Sequence, residues 1–181
     1  MARTAPFQEK AHLARTKLAY RRVHPRVGYI QFDGWGFDLK PKLEAALSDL
    51  WACDALVLDL RQNRGGVNPG VDYLASVLLT GSGLLAAATL RNGERSDWPF
   101  RAGDKHWPGK LAILVDEASG SASEVFAAAL QEMGRAVVVG RTSYGGVLNS
   151  TQAPLPTGGV LQYPHSDMRT PKGRRVEGVG V

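Results

Sequence analysis

The chain has 181 residues, of which 44% are apolar and 22% charged, the size and balance of a single globular domain with a buried core. Collagen-like, low-complexity and wholly disordered classes are therefore excluded. A single cysteine, Cys53, excludes an internal disulfide and a cysteine-rich metal site.

The net charge of +5 is distributed unevenly along the chain. Residues 1–26 hold seven lysines and arginines against one acid, Glu9, whereas residues 27–181 hold 15 basic and 16 acidic groups. We interpret 1–26 as a basic leader or linker, in which residues 8–23 can form a helix that ends before Pro25. Because the remainder is nearly neutral, we expect no nucleic-acid-binding face. No apolar run reaches the roughly 20 residues of a membrane-spanning helix.

From residue 27 onward, apolar strands alternate with amphipathic helices. The pattern predicts strands at 27–32, 55–60, 84–91, 111–115 and 136–139, and helices at 38–51 and 123–133. A third helix would be capped by Asn68, with Pro69 in its first turn. The pair Asn92-Gly93 predicts a hairpin turn, and Pro-Thr-Gly-Gly at 156–159 predicts a C-terminal hairpin. This alternation favours an α/β domain.

Two loops follow buried strands, at the strand ends where α/β sheets bind their ligands. The first loop ends in Gly65 and Gly66, whose missing side chains let backbone N–H groups approach a substrate oxygen. The second, 116–122, contains Ser121 and leads into a helix whose first N–H groups would stabilise an oxyanion while a serine attacks. The combination suggests acyl transfer. A simpler interpretation stands beside it, in which the glycines form a turn and Ser123 caps the helix.

Other chemistries lack their characteristic residues. There is no Gly-Lys-Ser or Gly-Lys-Thr and no Rossmann glycine spacing, so nucleotide binding is not expected. No paired histidines and no carboxylate cluster indicate a metal, and we expect no cofactor.

Five blocks of sequence occur in the order seen in the tail-specific, or carboxyl-terminal processing, serine peptidases, and the chain resembles that family. They are Gly-Tyr-Ile at 28–30, Leu-Asp-Leu-Arg-Gln-Asn-Arg-Gly-Gly at 58–66, Ser-Gly-Ser-Ala-Ser-Glu-Val-Phe-Ala at 119–127, Gly-Arg-Ala-Val-Val-Val-Gly at 134–140, and Thr-Pro-Lys-Gly at 170–173 with Glu-Gly-Val-Gly-Val at 177–181. The resemblance covers about residues 27–181. It implies a spiral of β-α units of the Clp protease/crotonase-like type, and a serine endopeptidase that cleaves polypeptides through an acyl-enzyme.

The resemblance also implies roles for individual residues. The family's nucleophile falls on Ser121, and its oxyanion hole falls on the N–H of Ala122 together with one from Gly65 or Gly66. The family's lysine base falls, by its spacing from the nucleophile, on a position that is Gly146 here. The chain therefore lacks the base that the family pattern leads one to expect.

The tricorn-core branch of the family also lacks that lysine and resembles this chain in its Gly-Gly. There the base is a histidine from an upstream region, supported by a carboxylate whose position matches Glu177. The upstream region and the peptide-binding PDZ module of many members have no counterpart here, and the chain stops at Val181, where members continue into Pro-Asp. We therefore expect residues 27–181 to be the core domain of a longer peptidase.

Few residues of the chain itself offer a replacement base. Of the histidines His12, His24, His106 and His165, we expect His24 and His106 to face solvent, whereas His165 follows the hairpin strand and can approach the site. Lys172, in a predicted turn, is the other local candidate.

The expected partner is a polypeptide substrate, held extended against the strand edge that begins at Val147, Leu148 and Asn149. Oligomerisation is left open. The family resemblance suggests the periplasm or cell envelope, whereas tricorn-like members suggest the cytoplasm. Two alternatives to a peptidase remain open: a non-catalytic relative that binds peptides or lipophilic ligands, as interphotoreceptor retinoid-binding protein does, and a crotonase-type acyl-CoA enzyme. Ser121 discriminates the peptidase from the crotonase-type enzyme, because crotonase chemistry needs no nucleophilic serine there.

Overall fold

The computed structural model describes residues 15–181, which form nine strands and three helices. The strands are β1 (Leu18–His24), β2 (Val27–Phe32), β3 (Ala55–Asp59), β4 (Ser82–Leu90), β5 (Trp98–Arg101), β6 (Lys110–Val115), β7 (Ala136–Gly140), β8 (Asn149–Pro154) and β9 (Val160–Arg169). The helices are α1 (Leu39–Leu50), α2 (Asn68–Leu78) and α3 (Ala122–Glu132). Within residues 15–181, no helix has the length and apolar character needed to cross a membrane.

The strands form two sheets. The five-stranded sheet has the order β1-β2-β3-β6-β7, in which β2, β3, β6 and β7 are parallel and β1 is antiparallel to β2. The four-stranded sheet has the order β5-β4-β9-β8 and is antiparallel throughout. The α/β class and the C-terminal hairpin, formed here by β8 and β9, are thus confirmed.

The core lies between one face of the five-stranded sheet and the helices. Side chains alternate along a strand, and Ile30, Leu58 and Ile113 of three neighbouring strands all point to this face and are fully buried. Helix α1 contributes Leu43 and α3 contributes Phe126, both also fully buried. Burial of this apolar face explains why each amphipathic segment forms a helix here.

Two local predictions are wrong. Residues 18–23 belong to strand β1 and not to a helix, while residues 8–14 lie outside the described part of the chain. The β1 segment has no apolar helix face to bury, because only Leu18 is half-buried, and it gains backbone hydrogen bonds by pairing with β2. Helix α2 begins at Asn68 itself and Val67 occupies the cap position, although Pro69 does lie in the first turn.

The parallel strands bring the two predicted loops to the same edge of the sheet. Gln31 at the end of β2 pairs with Asp59 at the end of β3, and Asp59 pairs with Leu114 near the end of β6. The chain leaves β3 and β6 side by side, so the loops that follow them are neighbours.

Candidate active site

The glycine loop after β3 lies flat against the backbone of Trp35. Trp35 N donates to Gly65 O at 3.0 Å, and Val67 N donates to Trp35 O at 2.7 Å. Gly65 and Gly66 have φ values of 98° and 147°, and a Cβ atom on Gly66 would lie 2.5 Å from Trp35 O. Only glycine fits this position, because any side chain would push the loop away from its neighbour.

Asn63 fixes the shape of this loop from within. It is fully buried, and its Oδ1 accepts a hydrogen bond from Gly65 N at 3.0 Å while its Nδ2 donates to Phe32 O at 3.1 Å. Asn63 lies within one of the sequence blocks that carry the family resemblance, but the resemblance implies no role for it. The available signal was an asparagine two residues before a glycine, which is typical of a side chain that bonds its own loop backbone.

Ser121 differs from the two serines beside it. Ser119 Oγ is fully buried and donates to Leu60 O at 2.8 Å; Ser123 Oγ is fully buried, donates to Asn63 O at 3.0 Å and accepts from Trp35 Nε1 at 2.9 Å. Ser121 is partly exposed and precedes α3 as its N-cap, so the interpretation of Ser123 as the cap is wrong.

The backbone of Ser121 is strained. Its φ is 53° and its ψ is −118°, a conformation that residues with a Cβ rarely adopt. Such strain costs about 1–3 kcal/mol and persists only where the surroundings hold it, most often at functional sites.

The structure brings the predicted nucleophile and the glycine loop together. A Cβ atom on Gly65 would lie 2.6 Å from Ser121 Cβ and 3.0 Å from Ala122 N. Within residues 15–181, the N–H groups of Gly66 and Ala122 donate to no acceptor, whereas the N–H of Gly65 is bound by Asn63. Of the two glycines, Gly66 therefore offers the free donor.

Glu124 connects the nucleophile to the loop at 143–146. Its carboxylate is fully buried and accepts hydrogen bonds from Ser121 N at 3.0 Å, Ser143 Oγ at 2.6 Å, Gly145 N at 2.5 Å and Gly146 N at 2.9 Å. Buried backbone N–H groups need acceptors, so one carboxylate satisfies both loops at once. Nothing in the local sequence around Glu124 predicts this role.

Gly146, at the position of the expected lysine, lies directly beside the nucleophile. Its carbonyl oxygen accepts a hydrogen bond from Ser121 N at 3.1 Å. A Cβ atom on Gly146 would meet only the ring of Tyr144 within 4 Å, at 2.7 Å. The Tyr144 side chain is 74% exposed, so this ring has room to move aside.

Glu177 holds the start of the predicted peptide-binding edge. Its Oε2 accepts hydrogen bonds from Val147 N at 2.6 Å and Leu148 N at 3.0 Å. Val147 is buried, Leu148 is exposed and Asn149 is the first residue of β8, which lies at the edge of its sheet. Two of the N–H groups expected to face substrate are thus bound by Glu177.

None of the histidines that could replace the base forms a hydrogen bond with Ser121 within residues 15–181. His12 is outside the described residues. His24 ends β1 and His106 precedes β6, both at the sheet edge opposite the site. His165 is on β9, at the point where the pairing of β9 with β8 shifts register, and it forms no hydrogen bond with Ser121 in residues 15–181.

Lys172 is also remote. Its N–H donates to Glu132 at the last residue of α3. Ser121 lies at the other end of that helix, about 16 Å away at 1.5 Å per residue.

Charged groups behind the glycine loop are tightly paired. Asp59 is fully buried, and Arg61 Nη2 and Tyr29 Oη each donate to its Oδ2 at 2.6 Å. Burial raises the pKa of Asp59, but the hydrogen bonds from Arg61 and Tyr29 outweigh that effect and lower the pKa below its usual range. Asp59 is therefore a carboxylate at neutral pH and anchors the end of β3.

The sequence model of peptidase family S41 matches residues 26–181. This chain belongs to peptidase family S41. A carboxy-terminal-processing protease of Bartonella bacilliformis is 27% identical over 175 residues, which are 93% of this chain and 40% of that protein. The chloroplastic carboxyl-terminal-processing peptidase 3 of Arabidopsis thaliana is 30% identical over 159 residues, 86% of this chain and 30% of that protein. The chain thus spans well under half the length of these S41 relatives.

Solved structures of S41-type proteins show the same fold. The photosystem II D1 C-terminal processing protease matches with a TM-score of 0.78 at 24% identity, over 92% of this chain and 46% of that one. Mature CPAF matches with a TM-score of 0.73 at 14% identity, and the tricorn protease with 0.58 at 21% identity, over 86% of this chain and 15% of tricorn. The expected similarity to carboxyl-terminal processing and tricorn-type proteins is confirmed.

Proposed function

We propose that this chain is the core of a serine endopeptidase in which Ser121 attacks the peptide carbonyl and forms an acyl-enzyme. One observation carries the proposal: a strained, partly exposed serine at a helix start lies beside a glycine loop, and the N–H groups of Gly66 and Ala122 have no acceptor in residues 15–181. A purely structural cap would need neither the strain nor the unused donors.

The proposed chemistry follows from this geometry. When Ser121 Oγ bonds to the carbonyl carbon, the carbonyl oxygen becomes an oxyanion. The N–H groups of Gly66 and Ala122 would donate to it, and the N-terminal dipole of α3 would add to the stabilisation. The serine must lose its proton to a base as it attacks.

We propose that this base comes from outside residues 15–181, because none of His24, His106, His165 and Lys172 forms a hydrogen bond with Ser121. By the tricorn-like resemblance it would be a histidine, and Glu177 would support it. The isolated chain should then be nearly inert, and a longer chain that carries the base should be active. In this proposal residues 27–181 are the core domain, and residues 18–24 of the basic segment 1–26 add the edge strand β1 to its sheet.

The proposed substrate is an extended polypeptide that adds as a strand to the outer edge of β8, next to Val147, Leu148 and Asn149. Strand β8 pairs only with β9 among the described strands, and its residues 149–152 are exposed. Main-chain pairing at such an edge binds a peptide without regard to its sequence, while pockets sort its side chains.

The test installs the missing base. In Gly146→Lys combined with Tyr144→Ala, the lysine occupies a position whose φ suits any residue, and the ring in its way is removed. Labelling by a fluorophosphonate, in which Ser121 displaces fluoride, should be barely detectable in the native chain. It should rise about 100-fold or more in this variant, the usual contribution of a general base.

Two controls make the test specific. Gly146→Gln with Tyr144→Ala supplies a side chain of similar length without a base, and should stay at the native rate. Adding Ser121→Ala to the lysine variant should abolish labelling. Fast labelling of the native chain that Ser121→Ala removes would contradict the missing base, and no labelling of a folded lysine variant would contradict the peptidase proposal.

A further inference from the structure

Two non-glycine residues have positive φ within residues 15–181, and they lie on the two loops that form the candidate site. They are Ser121, with φ 53°, and Gln62, with φ 63°. Glutamine has no special preference for this conformation, so something must hold Gln62 in it. No feature of the acyl-transfer proposal explains that strain.

Gln62 is held by Asp116, the first residue of loop 116–122. This loop carries Ser121 and is called the nucleophile loop below. Gln62 N donates to Asp116 Oδ1 at 2.9 Å, and Gln62 Nε2 donates to Asp116 Oδ2 at 2.5 Å. Asp116 Oδ1 also accepts from Ala118 N at 3.1 Å, and Asp116 N donates to Ser119 Oγ at 2.9 Å. The Asp116 carboxylate thus accepts hydrogen bonds from the start of the glycine loop and from its own loop, and links the two.

The other contacts between the loops lie deeper. Gly120 N donates to Asn63 O at 3.0 Å, and Ser119 Oγ donates to Leu60 O. Gln62, by contrast, is exposed, and a solvent-facing hydrogen bond contributes little to global stability. The positive φ of Gln62 is therefore explained less by global stability than by its effect on the path of the backbone. This backbone conformation sets the direction of residues 63–66.

We infer that Gln62 and Asp116 are positioning residues that set the separation between the N–H groups of Gly66 and Ala122. This inference rests on the proposed function, in which those two groups bind one oxyanion. Both donors must lie about 2.7–3.1 Å from the same oxygen, and loss of one such donor typically lowers the rate of acyl transfer about 100- to 1000-fold. A small displacement of the glycine loop is therefore enough to break the hydrogen bond that Gly66 N would donate to the oxyanion.

The first experiment measures this geometry without any need for activity. In the ¹⁵N-labelled chain, Gln62→Asn keeps a residue that tolerates positive φ but shortens the side chain so that its amide no longer reaches Asp116. The amide resonance of Gly66 should shift or broaden, while the unfolding midpoint stays within about 3 °C, because the lost bond is exposed. An unchanged Gly66 resonance would overturn the inference.

A charge exchange supplies the matched control. Gln62→Glu places two carboxylates together and should displace the Gly66 resonance further. Adding Asp116→Asn restores the hydrogen bond between the two side chains with donor and acceptor exchanged, because the amide introduced at position 116 donates to the carboxylate introduced at position 62. The amide oxygen at position 116 still accepts from the backbone N–H groups. The Gly66 resonance should return at least halfway to its native position. If the shift of the Gly66 resonance in the double variant equals the sum of the shifts in the two single variants, the inference is also overturned.

The same variants, made in the chain with Gly146→Lys and Tyr144→Ala, test whether the position of the glycine loop affects the rate of acyl transfer. Gln62→Asn should slow fluorophosphonate labelling at least tenfold, and the exchanged pair should recover most of that loss. If the lysine chain itself does not label, the peptidase proposal fails while the resonance measurement still decides the positioning role. If the resonances respond and labelling does not, the pair positions the loop but not the oxyanion donors, and the inference fails.

Discussion

Ser121 and Gly65 depend on each other at the level of single atoms. The strained backbone of Ser121 turns its Cβ toward the glycine loop, and a Cβ on Gly65 would come within 2.6 Å of it. Atoms of real side chains do not approach so closely, so the two loops can only meet if position 65 carries no side chain.

Replacement of Gly65 by alanine separates this contact from ordinary backbone strain. The matched control is Gly93→Ala, since Gly93 has φ 86° against 98° for Gly65, and no atom lies within 4 Å of its added Cβ. Gly93→Ala should lower the free energy of unfolding by about 1–2 kcal/mol, the cost of left-handed backbone. Gly65→Ala should lower it by about 1–3 kcal/mol more, because the clash forces the loops apart. Urea unfolding measures both values, and equal losses would contradict the close contact.

Individual residues differ in how far the sequence predicts their roles. Local pattern predicts that the Gly65-Gly66 loop and a serine-bearing loop lie at neighbouring strand ends, because backbone freedom and helix starts are visible in the sequence. The nucleophile role of Ser121 is implied by the family resemblance and stays a prediction. The role of Glu124 was not predicted, because its partners at 143–146 lie about 20 positions away and meet it only through the fold.

At the scale of elements, the proposed peptide would bind along β8, the edge strand of the four-stranded sheet. The hairpin of β8 and β9 projects with most of residues 149–164 exposed, and β8 has β9 on one side only. Glu177 already binds the N–H groups of Val147 and Leu148, so the edge available for pairing begins at Asn149.

Hydrogen exchange tests this edge. A peptide bound by strand addition should protect amides within 149–154, and replacing an edge residue such as Thr151 with proline should weaken binding by removing an N–H and fixing φ. The comparison is Thr157→Pro in the hairpin turn, outside the strand. Protection confined to the basic residues 15–26 would mean that charge holds the peptide, and would contradict the edge proposal.

The elements themselves were predicted wherever burial decides them. Strands β2, β3 and β6 and helices α1 and α3 follow directly from apolar runs and amphipathic spacing, and their ends differ from the prediction by at most one residue. Strand β1 was missed because it is exposed and has no pattern of its own. Its structure comes from pairing with β2, a contact between chain segments that local propensity does not contain.

At the scale of the whole molecule, the fully buried Asp59 and its half-exposed partner Arg61 stabilise the end of the sheet that carries the candidate site. A carboxylate whose pKa is lowered on folding adds stability above its unfolded pKa of about 3.9, and that stability is lost as the pH falls through the folded value. The unfolded chain binds more protons in that range, so the free energy of unfolding must fall with acid. The exposed pair of Asp97 and Arg95 has the same spacing along the chain and offers a comparison.

Asp59→Asn should lower the free energy of unfolding by about 2 kcal/mol at neutral pH, because Arg61 and Tyr29 lose a charged acceptor. The difference from the native chain should be constant between pH 7 and 5 and should shrink below pH 4, where Asp59 of the unfolded native chain takes up a proton while Asp59 of the folded chain is still charged. Asp97→Asn should show a smaller difference throughout, since solvent screens an exposed pair. Urea unfolding at several pH values measures both differences. If the Asp59→Asn difference persisted undiminished at pH 2.5, the stabilisation would come from the shape of the side chain and not from its charge.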